Sequence, residues 1–275
     1  MHSCSLATQR VFALRQGAIE TLDLPSSSTR LGLGDLRWGN AEEPLTPAYW
    51  AAQTWMWEID APEHYRLGRT LAEELLACML GGYGIPAEVG LAAYERLRGR
   101  LLEGGGLTDG DDVEALLVEP LKIGERSVRY RFARQKARYV SAAFRELASV
   151  DEGLEDLPLR DRLMCIRGVG PKTASWVVRN LRGSDGVAIL DIHILRAGRH
   201  LGIFEDGRTV ERHYAELEDA YLAFATAIDT RASILDSVMW MTMRQLTEPR
   251  STLRMAGKGG SHRAGQTSQQ GELTL

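Results

Sequence analysis

Residues 159–178 read LRDRLMCIRGVGPKTASWVV, two helix-like stretches joined by a Gly-Val-Gly turn. We expect Gly168 and Gly170 to adopt backbone conformations that are closed to residues with a Cβ, and Pro171 suits the first position of the second helix. The turn then presents free amide N–H groups at the positive end of that helix, a natural site for a phosphate oxygen. Such a turn is a weak signal alone, because many short helical connections use one.

Lys172 follows the turn and is a candidate nucleophile. A lysine in the first helical turn feels the positive end of the helix dipole, which favours the neutral amine and so lowers its pKa. A neutral amine attacks electrophiles, but most lysines in such a position are only solvated surface residues. The interpretation therefore needs a partner elsewhere in the chain.

Asp191 is the candidate partner, nineteen positions after the lysine, in the stretch AILDIHILR of residues 188–196. An Asp before a helical run is often only an N-cap that accepts backbone N–H bonds. A loop that returns to the turn would also place the carboxylate where it stabilises a positive sugar during glycosidic cleavage. The two roles are compatible, and the sequence leaves both open.

Together, IRGVGPKTA (166–174) and LDIH (190–193) resemble the signature of the helix-hairpin-helix (HhH-GPD) DNA glycosylases. The lysine-bearing form is similar to the 8-oxoguanine DNA glycosylase/AP lyase branch. In that family the lysine attacks the sugar C1′, expels the base, forms a Schiff base and permits β-elimination of the strand. The resemblance implies these catalytic roles for Lys172 and Asp191 and places His193 near the DNA backbone.

The resemblance also implies a fold and a set of backbone ligands. We expect a mainly α, two-lobed fold with duplex DNA in the cleft and a flipped-out base. Gly168, Val169 and Gly170 would bind a DNA phosphate through their amides. The carbonyls of Met164, Ile166 and Val169 match positions that hold a monovalent cation, Na⁺ or K⁺, in the family, and no other cofactor is expected.

Three positions depart from the family pattern. Arg167 stands where proline is usual, so the turn gains a cation that faces the phosphates. Trp176 lies one helical turn after Lys172, where the animal and fungal enzymes have a smaller residue, and it either stacks on an extruded base or fills the core. Tyr83, in a glycine-rich loop, is the candidate wedge for the gap that the flipped nucleotide leaves. The identity of the excised base therefore stays open.

Composition limits the function classes. The net charge is −4, but residues 121–182 hold 14 Lys/Arg against 7 Asp/Glu, a balance of +7 that leaves −11 for the remainder. One basic face on an acidic protein is compatible with DNA binding. The three cysteines, Cys4, Cys78 and Cys165, are too few for a four-cysteine iron–sulfur cluster and argue against a disulfide framework. Without an apolar span or a secretory signal, a cytoplasmic (nucleoid) protein is expected.

The chain divides into three parts by composition. Residues 1–45 contain short apolar stretches between Ser and Gly punctuation, which indicates a few strands of uncertain role. Residues 46–248 show helical spacing, including one helix predicted from Val113 to Leu121, and form the expected glycosylase core. Residues 249–275 are rich in Gly, Ser, Gln and Arg, which is typical of a disordered tail.

Two rival functions stay open. The same chemistry on another base, such as a hypermodified base in foreign DNA, fits the residues equally well. A non-catalytic module that only binds DNA through the turn would need neither Lys172 nor Asp191, so that pair argues against it.

Overall fold

Helices dominate the computed structural model, which describes residues 8–60, 66–82 and 84–247. Within those residues the helices are α1 (Pro47–Asp60), α2 (Leu71–Leu80), α3 (Ala87–Leu102), α4 (Gly110–Val118), α5 (Ala133–Glu146), α6 (Asp156–Met164), α7 (Pro171–Arg182), α8 (Ile192–Leu201), α9 (Val210–Ala227) and α10 (Ala232–Thr247). The strands are β1 (Gln9–Arg15), β2 (Ala18–Leu24), β3 (Leu121–Ile123) and β4 (Arg126–Val128). The predicted mainly α fold is confirmed. No helix of this described part is long and apolar enough to cross a membrane.

Two hydrophobic cores divide these helices into two lobes. The first core draws its buried side chains from α2 to α7 and ends along the chain at Val187. The second core contains buried side chains of the N-terminal segment and α1, and then of the chain from Ala188 through the helices α8 to α10. The change of core falls between the candidate lysine and the candidate aspartate, so the two groups come from different lobes. The predicted two-lobed architecture is confirmed.

The N-terminal segment belongs to the second lobe. Its strands β1 and β2 form an antiparallel hairpin in which Gln9 pairs with Leu24 and Arg15 with Ala18. Leu24 and Trp38 are buried in the second core beside α1. This segment therefore packs on the fold and completes that core. The predicted tail at residues 249–275 lies outside the described residues.

The helix predicted from Val113 to Leu121 is wrong at its end. Helix α4 stops at Val118, and Leu121 begins strand β3 of a second hairpin. Pro120 explains the break, because the residue before a proline is disfavoured in the helical region, and Glu119 has φ −60° and ψ 134°. The chain then leaves the helix as an extended strand.

Polar groups join the two lobes across their seam. Arg179 of α7 forms a buried ion pair with Asp236 of α10. Glu218 of α9 accepts hydrogen bonds from Arg160 Nη1 at 2.6 Å and from the Ala188 amide at 2.8 Å. Buried charges need such partners to offset the cost of losing water. The seam therefore fixes how α7 and its lysine sit against the second lobe.

Candidate active site

The turn between α6 and α7 depends on one glycine with a positive φ angle. Gly168 has φ +91°, and a Cβ there would lie 2.4 Å from Cγ of Tyr139, so only glycine fits this position. Gly170 has φ −94° and ψ 176°, an ordinary extended conformation, and a Cβ on it would meet no atom within 4 Å. The expectation that Gly170 needs a glycine-only conformation is therefore wrong. Its open side leaves room for a ligand to approach the start of α7.

Lys172 is half-buried at the start of α7, with its Nζ 5.9 Å from the ring centroid of Trp176. Burial lowers its pKa, while the negative charge of Asp191 and a smaller interaction with Cys78 oppose the shift. The direction agrees with the sequence prediction, but the principal cause is loss of water around the amine. The neutral, nucleophilic form is thus favoured by packing.

Asp191 is the N-cap of α8. Its Oδ1 accepts the amides of His193 at 2.8 Å and Ile194 at 3.0 Å. Both capping bonds use Oδ1, and no hydrogen bond to Oδ2 is formed by the described residues. The negative charge of Asp191 raises the pKa of Lys172, so the carboxylate interacts electrostatically with the amine while it caps the helix. The structure confirms the capping role, and the catalytic role stays a prediction that capping does not exclude.

Trp176 lies on the end of α2. A Cβ on Gly81 would approach its ring to 3.1 Å, so the absence of a side chain at 81 makes room for the indole. The ring is half-buried, with the Lys172 amine over one face. Trp176 thus forms one wall beside the amine, a position from which a flat base can be stacked.

Lys136 interacts electrostatically with Lys172, although in the sequence it was counted only within the basic stretch of residues 121–182. Its Nζ donates to the carbonyl oxygens of Met79 and Gly81, the latter at 3.4 Å. Burial lowers the pKa of Lys136, and the charge of Lys172 lowers it further. A second amine therefore lies in the same cleft and satisfies carbonyls at the end of α2. In the sequence, the position of Lys136 beside Ala137 and Val140, both buried in the core, was the available signal that its side chain is not fully exposed.

The family model for 8-oxoguanine DNA glycosylase matches residues 69–230, which include the turn, Lys172 and Asp191. The chain belongs to this family. An 8-oxoguanine DNA glycosylase/AP lyase of Metallosphaera sedula is 32% identical over 130 residues, which are 45% of this chain and 63% of that relative. The chain therefore spans less than two thirds of that relative's length. A relative of the same description from Saccharolobus islandicus is 29% identical over 147 residues, 48% of this chain and 68% of its own length.

Solved structures agree with the family assignment. The 8-oxoguanine glycosylase/lyase of Methanocaldococcus jannaschii, in complex with a 15mer DNA containing 8-oxoguanine, aligns with a TM-score of 0.50 and 27% identity. That alignment covers 64% of this chain and 81% of the other. A trapped endonuclease III–DNA covalent intermediate aligns with a TM-score of 0.54 and 21% identity over 74% of this chain and 87% of the other, which supports the shared fold.

The remaining predicted site residues of this family member lie around the turn and α8. Arg167 is exposed in the turn, and no carboxylate in the described ranges pairs with it. His193 is half-buried, with its ring centroid 6.1 Å from that of Trp240 in an edge-on contact. Its Nδ1 is buried and has no hydrogen-bond partner among those residues. Tyr83 lies outside the described residues.

The turn has carbonyl oxygens with unused acceptor capacity at the three positions where the sequence predicts a monovalent cation. The carbonyls of Met164 and Val169 accept no hydrogen bond from the described residues, and that of Ile166 accepts one, from the Val169 amide at 3.0 Å. A carbonyl oxygen has two lone pairs, so all three groups keep a free one. The described ranges contain no cluster of three or more His, Cys, Asp or Glu suited to a metal ion.

Proposed function

We propose that the chain excises 8-oxoguanine from duplex DNA and then cleaves the abasic strand as a bifunctional DNA glycosylase/AP lyase. One observation carries the proposal: Lys172 is a half-buried amine with a lowered pKa at the start of the helix after the glycine turn, and the negative charge of Asp191 acts on it. A module that only binds DNA needs neither group. The family and its 8-oxoguanine-processing relatives support the choice of base.

In the proposed reaction the neutral Lys172 amine attacks C1′ of the flipped nucleotide. The N-glycosidic bond breaks, and the base leaves with the bonding electron pair and takes up a proton. Loss of the amine proton and opening of the sugar give an iminium between Nζ and C1′. Removal of a C2′ proton then expels the 3′ phosphate. The Asp191 carboxylate stabilises the positive charge that develops on the sugar.

The turn would hold the strand while the base is extruded. Amides of Gly168 and Gly170 would donate to a phosphate oxygen, and Arg167 would add a positive charge beside it. The Val169 amide, which the sequence also predicted for this role, already donates to the Ile166 carbonyl at 3.0 Å. A monovalent cation on the carbonyls of Met164, Ile166 and Val169 would add positive charge toward the same phosphate. The covalent steps use only the amine and the carboxylate of the chain, so no other cofactor is required. We place this activity on nucleoid DNA in the cytoplasm.

A second candidate substrate is another altered base, and Trp176 is the observation that favours it. An indole ring stacks on any flat base and distinguishes bases poorly, because its single donor is Nε1. A panel of duplexes, each with one altered base, measures this directly. Release of a base other than 8-oxoguanine as the fastest reaction would support the second candidate.

Borohydride trapping tests the proposed nucleophile. The parent protein should form a slowly migrating covalent adduct with an 8-oxoguanine duplex, and Lys172→Gln should form none. The control is that Lys172→Gln still binds a duplex with an uncleavable abasic analogue. An unchanged adduct in Lys172→Gln would assign the chemistry to another amine.

A further inference from the structure

Residues 122–138 concentrate positive charge. They contain seven basic residues and one acidic residue, Glu125, for a local balance of +6, so the rest of the chain carries −10. The segment runs from the β3–β4 hairpin through Arg129 and Tyr130 into the first half of α5. Like charges are brought together here on neighbouring elements.

The charges of this segment are not neutralised by carboxylates. Elsewhere arginines form ion pairs, as Arg182 does with Asp156 and Arg231 with Asp185. In contrast, no carboxylate within the described ranges pairs with the exposed side chains that we call the basic patch: Lys122, Arg126, Arg129, Arg134 and Arg138. An unpaired cation on a surface is available to an external anion without first breaking an internal pair.

The β3–β4 hairpin has two chemically different faces. Leu121 is buried, and Ile123 and Val128 pack against the same first core. Lys122 pairs with Ser127 across the hairpin, so both lie on the opposite face. Arg129, one residue beyond β4, continues that alternation and is exposed. The outward face is therefore polar and cationic. The inward face is apolar except at its end, where Arg126 pairs with Ile123 and is exposed.

The patch lies beside the candidate active site. Tyr130, between the hairpin and α5, donates its hydroxyl to the Leu80 carbonyl at 2.6 Å, at the end of α2. Farther along, Tyr139 of α5 lies against Gly168 of the turn. The segment that carries the patch thus runs from the end of α2 to the turn that precedes Lys172.

We propose that the basic patch binds the phosphate backbone of the duplex outside the nucleotide that the active site holds. The inference rests on the proposed function, because it takes DNA to be the polyanion in the cleft. Continuity with the phosphate-binding turn favours DNA over an acidic protein partner. The contacts are ionic and independent of base sequence, so they contribute to affinity and to its salt dependence.

The test compares two charge-matched variants of the full chain. The patch variant is Lys122→Gln with Arg129→Gln. The control variant is Arg15→Gln with Arg212→Gln, which removes two exposed cations of the second lobe that also lack ion pairs among the described residues. Affinity for a duplex of about 25 base pairs with a central uncleavable abasic analogue is measured between 50 and 200 mM salt.

In the patch variant the fall of log affinity with log salt should be less steep, by about 2. The ratio of parent affinity to variant affinity should therefore decrease about tenfold between 50 and 200 mM salt. The control variant should keep the parent slope. Equal slopes for patch variant and parent, or equal losses in both variants, would overturn the proposal. Equal slopes would leave an acidic protein as the partner of the patch. Equal losses in the patch and control variants would indicate an effect of net charge alone.

A second patch variant, Arg134→Gln with Arg138→Gln, guards against misfolding of the hairpin. It should lower the slope by a similar amount, and normal slopes in both folded patch variants would again contradict the proposal. Because the analogue is not cleaved, the comparison holds even if the parent excises no 8-oxoguanine. If the parent excises 8-oxoguanine and both patch variants keep the parent slope, only the proposal about the basic patch is overturned.

Discussion

The surroundings of Lys172 lower its pKa mainly by excluding water from the amine. The amine lies over Trp176 and beside the buried Cys78, where little water can solvate an ammonium ion. Asp191 favours the ammonium form, and Lys136 adds a second positive charge nearby. The fraction of neutral amine is thus raised by packing and lowered by the charge of Asp191.

The pH profile of base release should report this environment. Attack needs the neutral amine, and burial lowers the Lys172 pKa below its ordinary value of 10.5. The single-turnover rate should therefore rise with pH and level off below that value. In Asp191→Asn the carboxylate charge that raises the Lys172 pKa is lost, so the rising limb should move to lower pH. A parent rate that keeps rising to pH 10.5 would contradict a buried amine.

Asp191→Asn should also separate capping from catalysis. The Asn side-chain oxygen can accept the His193 and Ile194 amides as Oδ1 does, so α8 and DNA affinity should be nearly unchanged. Loss of the negative charge should slow single-turnover base release by about 100-fold or more. An excision rate equal to that of the parent would leave Asp191 with a structural role only.

The sequence was informative about these residues where their signal is local. Lys172 and Asp191 could be proposed because each belongs to a short motif with a spacing that a known family shares. Lys136 bonds to carbonyls 55 and 57 positions away, and Gly81 packs on Trp176 across the first lobe. Such contacts arise from packing of distant segments, so no local pattern reveals them.

The turn between α6 and α7 provides a matched pair of glycine substitutions. Gly168→Ala should lower the free energy of unfolding by about 1–3 kcal/mol, because it strains a positive φ and collides with Tyr139. Gly170→Ala should cost less than about 1 kcal/mol, because its Cβ meets open space. Urea denaturation measures both.

For Gly170→Ala the expected loss is in binding. The new methyl group would stand at the start of α7, where the backbone approaches a phosphate, and should weaken affinity for all duplex sequences alike. Unchanged affinity for the abasic-analogue duplex at fixed salt would remove this position from the interface.

At the level of elements, periodicity predicted helices well and short strands poorly. The β3–β4 hairpin has three residues in each strand, too few to establish an alternating pattern beside the helical spacing of α4. Helix α1 was not predicted as a separate element, although Trp50 and four of its alanines or threonines are buried. Its outer positions carry few charges, so no amphipathic stripe marks it.

The buried Arg179–Asp236 pair connects the lobes of the whole molecule and can be tested as a pair. Arg179→Met leaves the Asp236 carboxylate buried without its cation and should lower the free energy of unfolding by about 3–5 kcal/mol. Adding Asp236→Leu removes the uncompensated charge and should recover most of that loss. Thermal and urea unfolding report both changes. If the double variant is as unstable as the single one, packing at the seam and not charge is the stabilising factor.

The unequal charge of the two lobes gives the molecule an electric dipole. Residues 8–60 and 188–247, which form the second lobe, hold 10 basic and 16 acidic residues and carry −6. Residues 66–187 of the first lobe hold 19 basic and 18 acidic residues and carry +1, with +6 concentrated in residues 122–138. In the proposed encounter the field of the duplex would exert a torque on that dipole and turn the first lobe, with its basic segment, toward the DNA before contact. At about 0.15 M salt this field extends only about 8 Å, so the protein would be oriented only in the last step of each encounter. At lower salt the field extends farther, so molecules in unproductive orientations would begin to rotate at a greater distance from the DNA.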